Sequence, residues 1–402
     1  MSSPVYQTEG QNMRHLALRA SSVAVVAALA LSACGSNDDS SSGTDNNTAS
    51  GNKTVTIGLL ADLTGAAAFC GVDVKAGAEA AVKQVNSSGM IPGVTLALDE
   101  VDDGTDPAKA ASGMSQIASS DDVSSIYGCA SALGLAAAPI AQQEQIPLVG
   151  VQVGDAGFVE NGNYVFRTTV PQSTFQKTQV DYWVSKGVKT VAIAYQSDNP
   201  TLTQLANDIY PKLLSDAGIQ VVKTATFKSD TVDFSGVASA VVGAHPDAIL
   251  AETQGTPTVG LVTALDQAGF KGLIGGSAGF SGGVLAPLGD KANGLTYPSD
   301  FHPSSTVPAT QDFVKKYTAI TGTDASKVSQ FVAEAWDSVM FTAQAMANTS
   351  DLTRSNLRDS MDALSQQGFT GAVGPLTFQN RSALLDKGLL LEWENGGTQL
   401  VG

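Results

Sequence analysis

The sequence predicts an α/β protein built from mostly parallel β-sheets flanked by helices. Residues 54–86 begin with the near-continuous apolar run Val55 to Leu60, which is typical of a strand buried on both faces. A Gly/Ala-rich loop and a helix with apolar residues at helical spacing follow, and this order of strand, loop and helix recurs along the chain. With 402 residues and 43% hydrophobic content, the chain is long and apolar enough for two folded domains.

The first residues are predicted to direct export. Two arginines precede the apolar run Ala20 to Ala33, which has the short length of an export signal and not that of a membrane span. The motif LSAC, Leu31 to Cys34, then resembles a bacterial lipobox. This resemblance implies that residues 1–33 are a lipoprotein signal peptide and that lipid is attached to the Cys34 thiol. A plain secretory peptide with an incidental cysteine is the alternative.

Residues 34–52 are predicted to form a disordered tether between this anchor and the folded part. The segment GSNDDSSSGTDNNTASGN contains almost no side chain that a core could bury. Either Met1 or Met13 is compatible with the signal as the true start, because MRHLALR is itself a typical opening of such a segment.

The first half of the folded part continues the β/α order. Asp106 followed by Pro107 is a helix start signal, because aspartate caps the first turn and proline is favoured at its first position. An extended crossover is predicted at residues 164–171. The remaining predicted elements are strands at 94–98, 123–127 and 147–151 and helices at 107–118 and 136–143.

The pattern restarts after this crossover with a second sheet. A helix is predicted near residues 174–185, and the strands that follow are short apolar runs separated by helical patterns. The strands are predicted at 190–195, 219–224, 247–252 and 272–275, and the helices near 202–217, 234–242 and 259–268.

The pattern ILxxLTGxxxxxGxxxxxGAExAVxxxN, followed by DxxxDPxxA, resembles the type I periplasmic binding proteins of branched-chain amino acid ABC transporters. The similarity resumes at FRTTVP (166–171), DAIL (247–250) and GPLTF (374–378), and it covers nearly everything after residue 53. The residues that carry the opening pattern are Ile57, Leu63, Thr64, Gly65, Gly71, Gly77, Ala78, Glu79, Ala80, Val82, Asn86, Asp102, Asp106, Pro107 and Ala110.

This resemblance implies a two-lobed fold in which three segments cross between the lobes and form a hinge. It places a short strand at Gly294 to Tyr297 at the second crossing, and helices near 310–321 and 328–347 back in the first lobe. GPLTF and the strand 389–393 would then complete the second lobe. The expected lobes are residues 53–168 with 297–372, and residues 169–296 with 373–402.

Ligands of parallel sheets bind beyond the carboxyl ends of the strands, which selects the candidate site residues. Ser131 matches the family serine that receives a ligand carboxylate. The acid that meets a ligand ammonium in the family is replaced here by Ser277 and Ala278. Asp155, Asp198 or Glu252 could supply a substitute charge, although each is more often a solvated acid at the end of a loop. The candidates are Phe69, Cys70, Ser131, Gln152 and Gly154 in the first lobe, and Asn199, Thr201, Gln254, Thr256, Ser277 and Phe280 in the second.

Cys70 and Cys129 are both expected near the carboxyl ends of strands in the first lobe. Export permits a disulfide between them, and two buried free thiols are the alternative. The histidines have no partner at metal-ligand spacing, so we expect no metal and no cofactor.

The sequence argues against two other classes of function. The formal net charge of −16 and the lack of a basic run argue against nucleic-acid binding. Residues 275–279 fit the GxSxG motif of hydrolases, with Asp290 and His302 in the expected order, but the helix that should follow is interrupted by glycine and proline.

We therefore predict a non-enzymatic, monomeric, lipid-anchored binding protein that captures a small polar or amphipathic ligand between its lobes. Its expected partner is an ABC permease, to which it would hand an amino acid, amide or small organic acid. The alternative is a ligand-sensing extracytoplasmic module that reports to a membrane signalling partner, because the same fold can serve either role.

Overall fold

The computed structural model describes residues 52–155, 157–281 and 283–401, which form two sheets of mostly parallel strands flanked by helices. The strands in chain order are β1 (Lys53–Ala61), β2 (Val94–Asp102), β3 (Ser124–Gly128), β4 (Leu148–Val151), β5 (Val165–Arg167), β6 (Thr190–Gln196), β7 (Gln220–Phe227), β8 (Ala248–Glu252), β9 (Leu273–Gly276), β10 (Thr296–Ser299), β11 (Phe369–Gly371), β12 (Gly374–Gln379), β13 (Ser382–Leu384), β14 (Leu389–Glu394) and β15 (Gly397–Leu400).

The helices connect successive strands or pack on the faces of the sheets. In chain order they are α1 (Ala68–Ser88), α2 (Pro107–Ser119), α3 (Ser131–Gln143), α4 (Gly157–Glu160), α5 (Lys177–Ser185), α6 (Pro200–Gln204), α7 (Tyr210–Asp216), α8 (Ser235–Val242), α9 (Thr256–Gln267), α10 (Pro308–Thr321), α11 (Gln330–Ala347) and α12 (Arg354–Gln367). A π-helical turn, Leu205–Ile209, joins α6 to α7, so the single helix predicted there is one irregular unit.

Each sheet defines one lobe, as the sequence predicted for the fold class. The eight-stranded sheet of the first lobe has the order β11-β12-β13-β5-β4-β3-β1-β2, and the seven-stranded sheet of the second lobe has the order β15-β14-β10-β9-β8-β6-β7. Strands β1 to β5 and β6 to β10 pair in parallel, whereas the hairpin strands near the chain end pair antiparallel.

The apolar runs of the sequence become strands because both faces of each sheet are buried. In β1, Leu59 packs into the cluster beneath α1 and α11, while Leu60 packs into the cluster beneath α2 and α3. In β6, Ala192 and Ile193 likewise separate into the two clusters of the second lobe. Alternation of side chains along a strand therefore places apolar residues at every position.

The chain passes between the lobes three times, after β5, after β10 and after β13. The placement of GPLTF in the second lobe was wrong, because β12 pairs with β13 and belongs to the first sheet. Phe378 of this strand stacks on Phe341 of α11, with ring centroids 5.5 Å apart. Residues 297–299 also change lobe, since β10 pairs with β9 and β14 of the second sheet.

Several helices differ from the sequence-based expectation, among them the short α4, which was not predicted. Helix α1 begins at Ala68, inside the predicted loop, and Gly71 allows this because a Cβ there would collide with the Asp62 carbonyl oxygen. Helix α3 begins at Ser131, five residues before the predicted start. Helix α12 was not predicted, although Thr353 caps it by accepting a hydrogen bond from the Asn356 N–H.

The export signal, Cys34 and the tether through residue 51 lie outside the described residues. Among the residues that the structure does describe, none of the helices combines the length and the apolar character needed to cross a membrane.

Candidate ligand site between the lobes

A small cavity of about 30 Å³ lies where the carboxyl ends of the strands in the two sheets face each other. Residues that follow β3, β4, β6, β8 and β9 line it, as expected for parallel sheets. The lining residues are Phe69, Cys129, Ser131, Gln152, Gln172, Asn199, Thr201, Leu202, Gln254, Ser277, Ala278, Gly279 and Phe331.

Ser131, the first residue of α3, lies at the centre of the contact between the lobes. Its Oγ lies 2.7 Å from Oγ1 of Thr201, the second residue of α6. The Gly154 N–H donates a hydrogen bond of 3.1 Å to the same Ser131 oxygen. Because a Cβ on Gly154 would lie 2.7 Å from the Thr201 methyl carbon, the lobes touch and the cleft is closed.

The loop that precedes Ser131 is fixed from below by a buried carboxylate and a disulfide. The Cys129 N–H and the Tyr127 hydroxyl both donate to Asp62 Oδ2, at 2.7 and 3.2 Å. Cys70 and Cys129 are joined by a disulfide, with their Cα atoms 6.1 Å apart. These contacts connect the start of α1 to the start of α3, so one wall of the cavity is cross-linked.

Gln152 has a strained backbone and ties the cavity to the hinge. Its φ of 54° lies in the left-handed region, which a residue with a side chain rarely adopts outside sites where surrounding contacts hold it. Its N–H donates to Thr169 Oγ1 at 3.1 Å, and its Oε1 accepts from Gln172 at 3.2 Å, both on the first crossover. Its amide nitrogen donates to Glu334 on α11.

Arg167 supports the segment that carries Gly154. Its buried guanidinium donates to the carbonyl oxygens of Val153 and Asp155, at 2.7 and 2.8 Å, and to the Ser382 hydroxyl at 2.9 Å. Burial lowers its pKa to about 10, which still leaves it fully charged near neutral pH. The cation therefore stabilises the loop after β4 and does not face the cavity.

The second lobe contributes neutral polar groups. Asn199 caps α6 through its Oδ1, and its amide nitrogen donates to Gln254 Oε1 at 3.1 Å. Ser277 is fully buried at the end of β9, and its hydroxyl has no hydrogen-bond partner among the described residues. Gly279 packs so closely on the Thr253 carbonyl that a side chain there would collide with it.

None of the three acids considered as substitute charges lines the cavity. The Asp155 carboxylate accepts from the Gly157 N–H, and the exposed Asp198 accepts from Ser229. Glu252 is fully buried near Ser277, and burial raises its pKa to about 8, so it is mainly uncharged at neutral pH.

The structure brings together seven of the candidate residues and separates the others. Gly154 contacts the lining residue Ser131 through its N–H, and Cys70 is joined to the lining residue Cys129 by the disulfide. Thr256 is exposed, and Phe280 is buried in the core of the second lobe against Tyr297. The seven that line it are Phe69, Ser131, Gln152, Asn199, Thr201, Gln254 and Ser277.

Sequence reasoning missed several lining residues. Gln172 follows the predicted crossover directly, and that position was the signal that could have selected it. Phe331 comes from the start of α11 and meets Phe69 edge to face at 5.9 Å. No sequence pattern connects two residues so far apart in the chain. The other missed residues are Cys129, Leu202, Ala278 and Gly279.

The residues of the GxSxG hypothesis do not form a catalytic triad. His302 Nδ1 accepts from the Ser304 N–H and its Nε2 faces the Thr398 carbonyl at 3.2 Å, so both ring nitrogens are occupied away from Ser277. Asp290 is exposed. Within the described part of the chain, no three or more His, Cys, Asp or Glu side chains converge as a metal site would require.

Two α/β lobes that close over a small cavity and are joined by three crossings define a bilobal binding protein. The chain belongs to the periplasmic binding protein family, whose sequence profile matches residues 54–398.

Comparison with individual proteins gives the same fold. The chain is 23% identical over 356 residues to "Leu/Ile/Val-binding protein homolog 3" of Brucella melitensis, covering 87% of this chain and 93% of that protein. A leucine-binding protein from Thermotoga maritima superposes with a TM-score of 0.78 at 22% identity. The superposition covers 87% of this chain and 98% of that protein. A solute-binding protein from R. palustris, solved in complex with 4-hydroxybenzoate, superposes with a TM-score of 0.77 at 19% identity. The superposition covers 87% of this chain and 96% of that protein.

Proposed function

We propose that this protein is the extracytoplasmic solute-binding lipoprotein of an ABC importer and carries out no chemistry. In this proposal a small neutral or monoanionic solute binds between the lobes and is passed to a membrane permease. The observation that carries the proposal is the cavity at the junction of the two lobes, whose lining, within the part of the chain that the structure describes, has hydrogen-bonding side chains and no charged side chain.

A carboxylate or amide oxygen of the ligand is best received by the first lobe. Helix α3 begins at the cavity and has no side-chain cap, so its first backbone N–H groups and the Ser131 hydroxyl are available to an acceptor. The Gly154 N–H, which donates to the Ser131 oxygen in the closed arrangement, would become a further donor once a ligand displaces that contact. The apolar part of the ligand would contact Phe69 and Phe331, whose rings line the same cavity.

Binding requires the lobes to open and close again. A cavity of about 30 Å³ holds one or two water molecules, so a solute of amino-acid size enters only when the lobes separate. The ligand would then replace the Ser131–Thr201 contact with its own contacts to both lobes. Its higher affinity for the closed arrangement drives closure, and a permease can recognise that arrangement.

The names of related proteins support a small carboxylate as ligand. One structural relative is a leucine-binding protein, and another was solved with 4-hydroxybenzoate. Both molecules carry a carboxylate, and only leucine also carries an ammonium. Because no acid lines the cavity here, we propose that the ligand resembles the second kind.

Isothermal titration calorimetry with benzoate, 4-hydroxybenzoate, isovalerate and benzamide tests the cleft. We expect micromolar binding of at least one compound, about −8 kcal/mol. Ser131→Ala should weaken it by about tenfold or more, because hydrogen bonds to charged groups contribute about 1.5–3 kcal/mol. Thr256→Ala, at the exposed candidate position, is the matched control and should bind normally. Equal binding by Ser131→Ala and the wild type would contradict the proposed site.

The anchor and the permease are tested in cells. Mass spectrometry of the mature N-terminus should find acylated Cys34, and Cys34→Ala should release the protein from membranes. Cells lacking this chain should lose uptake of the compound that binds in vitro. Free secretion of unmodified wild-type protein would contradict the anchor, and unchanged uptake would contradict the importer role.

A further inference from the structure

A second and larger cavity, of about 330 Å³, lies between the lobes on the other side of the residues that line the first. The two cavities share no lining residue, although Gly279 lines the first and Ser281 the second. On the opposite wall Phe331 lines the first cavity and Gln330 the second. On both walls, therefore, residues that line the two cavities are neighbours in the chain. A volume of a few hundred Å³ is in the range of small-molecule sites.

One wall of this second cavity is aromatic and belongs to the second lobe and its crossover. Tyr297 and Trp393 come from the neighbouring strands β10 and β14, and Phe301 follows β10 in the second crossing. All three side chains are nearly fully buried. Together they make this wall apolar, which suits the ring of an aromatic ligand.

The opposite wall carries one anion and one cation from the first lobe. Asp73 of α1 is partly buried and accepts a hydrogen bond of 2.6 Å from Ser329, which caps α11. Lys327 lies two residues before Ser329 and is exposed, so its Cα is within about 7 Å of the Ser329 Cα. Among the described residues neither charge takes part in a salt bridge.

Two further titratable side chains line the cavity, Tyr297 and His302, and both are neutral; burial raises the pKa of Tyr297. His302 lines the cavity, and its Nδ1 accepts from the Ser304 N–H, which assigns the ring proton to Nε2 and the Thr398 carbonyl. Burial lowers the pKa of His302, so it remains uncharged at neutral pH. The acidic and basic side chains that line the cavity are Asp73 and Lys327; burial raises the pKa of Asp73, and the hydrogen bond from Ser329 opposes that shift.

We propose that this cavity is a second ligand site that binds a zwitterionic aromatic amino acid. The ammonium would meet Asp73, the carboxylate would meet Lys327, and the ring would pack on Tyr297, Phe301 and Trp393. An anion and a cation that do not pair with each other are both satisfied by a ligand that carries both charges. This inference is independent of the proposed ligand of the first cavity, which has no charged lining.

The test uses the full protein labelled with 5-fluorotryptophan and followed by ¹⁹F NMR. The chain has three tryptophans, Trp183, Trp336 and Trp393, and Trp393→Phe assigns the resonance of the one in the cavity. L-phenylalanine should shift the Trp393 resonance in a saturable way, and Trp183 in the core of the second lobe serves as the internal control.

Charge variants and truncated ligands then locate the two charges. Asp73→Asn should weaken the binding of L-phenylalanine and of phenethylamine by about tenfold or more, and it should leave the binding of 3-phenylpropionate unchanged. Lys327→Met should weaken the binding of L-phenylalanine and of 3-phenylpropionate, and it should leave the binding of phenethylamine unchanged. Asp230→Asn and Lys315→Met remove exposed charges elsewhere and should have no effect.

Three results would overturn the proposal. They are an unchanged Trp393 resonance with all three compounds, binding that neither charge variant weakens, and binding that Ser131→Ala abolishes while Asp73→Asn preserves. The last result would place L-phenylalanine in the first cavity, which supports that cavity as a ligand site, contradicts its proposed preference for ligands without an ammonium, and refutes the second site. Failure of the carboxylate panel at the first cavity would leave the second-site measurements intact.

Discussion

The Ser131 hydroxyl oxygen lies 2.7 Å from the Thr201 hydroxyl oxygen, and this contact joins the first turn of a helix in one lobe to the first turn of a helix in the other. The same two hydroxyls line the cavity. The closed arrangement without ligand is therefore stabilised by groups that a ligand would use.

Thr201→Val should shift the ligand-free protein toward open lobes. Valine keeps the shape of threonine and removes one hydrogen bond, which contributes about 0.5–1.5 kcal/mol, so the open population should rise about 2- to 10-fold. Distances between spin labels on the two lobes measure this shift. Thr203→Val is the matched control, because Thr203 bonds to Ser197 within the second lobe. Identical distance distributions for both variants would refute the role of the contact.

Gly154→Ala should prevent full closure while leaving both lobes folded. A methyl group there would lie 2.7 Å from the Thr201 methyl carbon, closer than two carbons can approach. We expect much weaker ligand binding by calorimetry and an unchanged thermal transition. Gly236→Ala, where nothing lies within 4 Å, is the control and should bind as the wild type does. Wild-type affinity in Gly154→Ala would show that closure at this point is not needed.

Leucine, isoleucine and valine should bind the first cavity weakly. Their ammonium would enter a site without a charged partner, and an unpaired buried charge costs several kcal/mol. Calorimetry with the three amino acids tests this, with Ser131→Ala to identify binding at the first cavity. Micromolar binding that is lost in Glu252→Gln, Asp155→Asn or Asp198→Asn would show that one of these acids supplies the charge after all.

The disulfide between Cys70 and Cys129 should protect both thiols in the native protein. Alkylation without reductant should label neither, whereas the reduced and unfolded protein should be labelled at both. Closing a loop of 59 residues stabilises the fold by up to about 4 kcal/mol in the chain-entropy account, so Cys70→Ser with Cys129→Ser should lower the midpoint of denaturation. Ready alkylation of both thiols in the native, unreduced protein would exclude the bond.

Stability should fall as pH rises from about 5 to 8. Burial raises the pKa of Glu252 to about 8 and that of Asp337 to about 7. It also raises the pKa values of the neighbouring carboxyl groups Asp300 and Glu334. Each group binds its proton more tightly in the folded than in the unfolded state, where carboxyl pKa values are about 4. Their contribution to the free energy of unfolding is therefore complete below about pH 4, and it is lost as pH rises through their pKa values in the folded state.

Urea denaturation at several pH values measures this slope. Glu252→Gln should flatten it by raising stability at pH 8, because glutamine stays uncharged. Asp247→Asn is the control, since backbone N–H groups of Lys189 and Thr190 lower the Asp247 pKa and its effect should be uniform across this range. The lowered pKa of His302 opposes the trend in part. Stability that rises toward pH 8 in both the wild type and Glu252→Gln would contradict the prediction.

The sequence by itself determined the fold class and much of the first cavity. Apolar runs such as Val55 to Leu60 predict buried parallel strands wherever they occur, and a parallel sheet places its ligand at the carboxyl ends of its strands. Seven cavity residues follow from that rule, because each lies just after a strand or near the start of the next helix. Ser131 and Ser277 were found in this way.

Only the tertiary structure decided the features that depend on packing between distant segments of the chain. The lobe to which β12 belongs depends on its pairing with β13, and that pairing has no local signature. Phe331 reaches the first cavity only because α11 packs on α1, and Asp73 meets Ser329 for the same reason. Glu252 loses its charge because the completed fold removes water from it. Local sequence patterns determine the strands and helices along the chain. Contacts between distant segments determine the protonation of Glu252, the closed arrangement of the lobes and the second cavity.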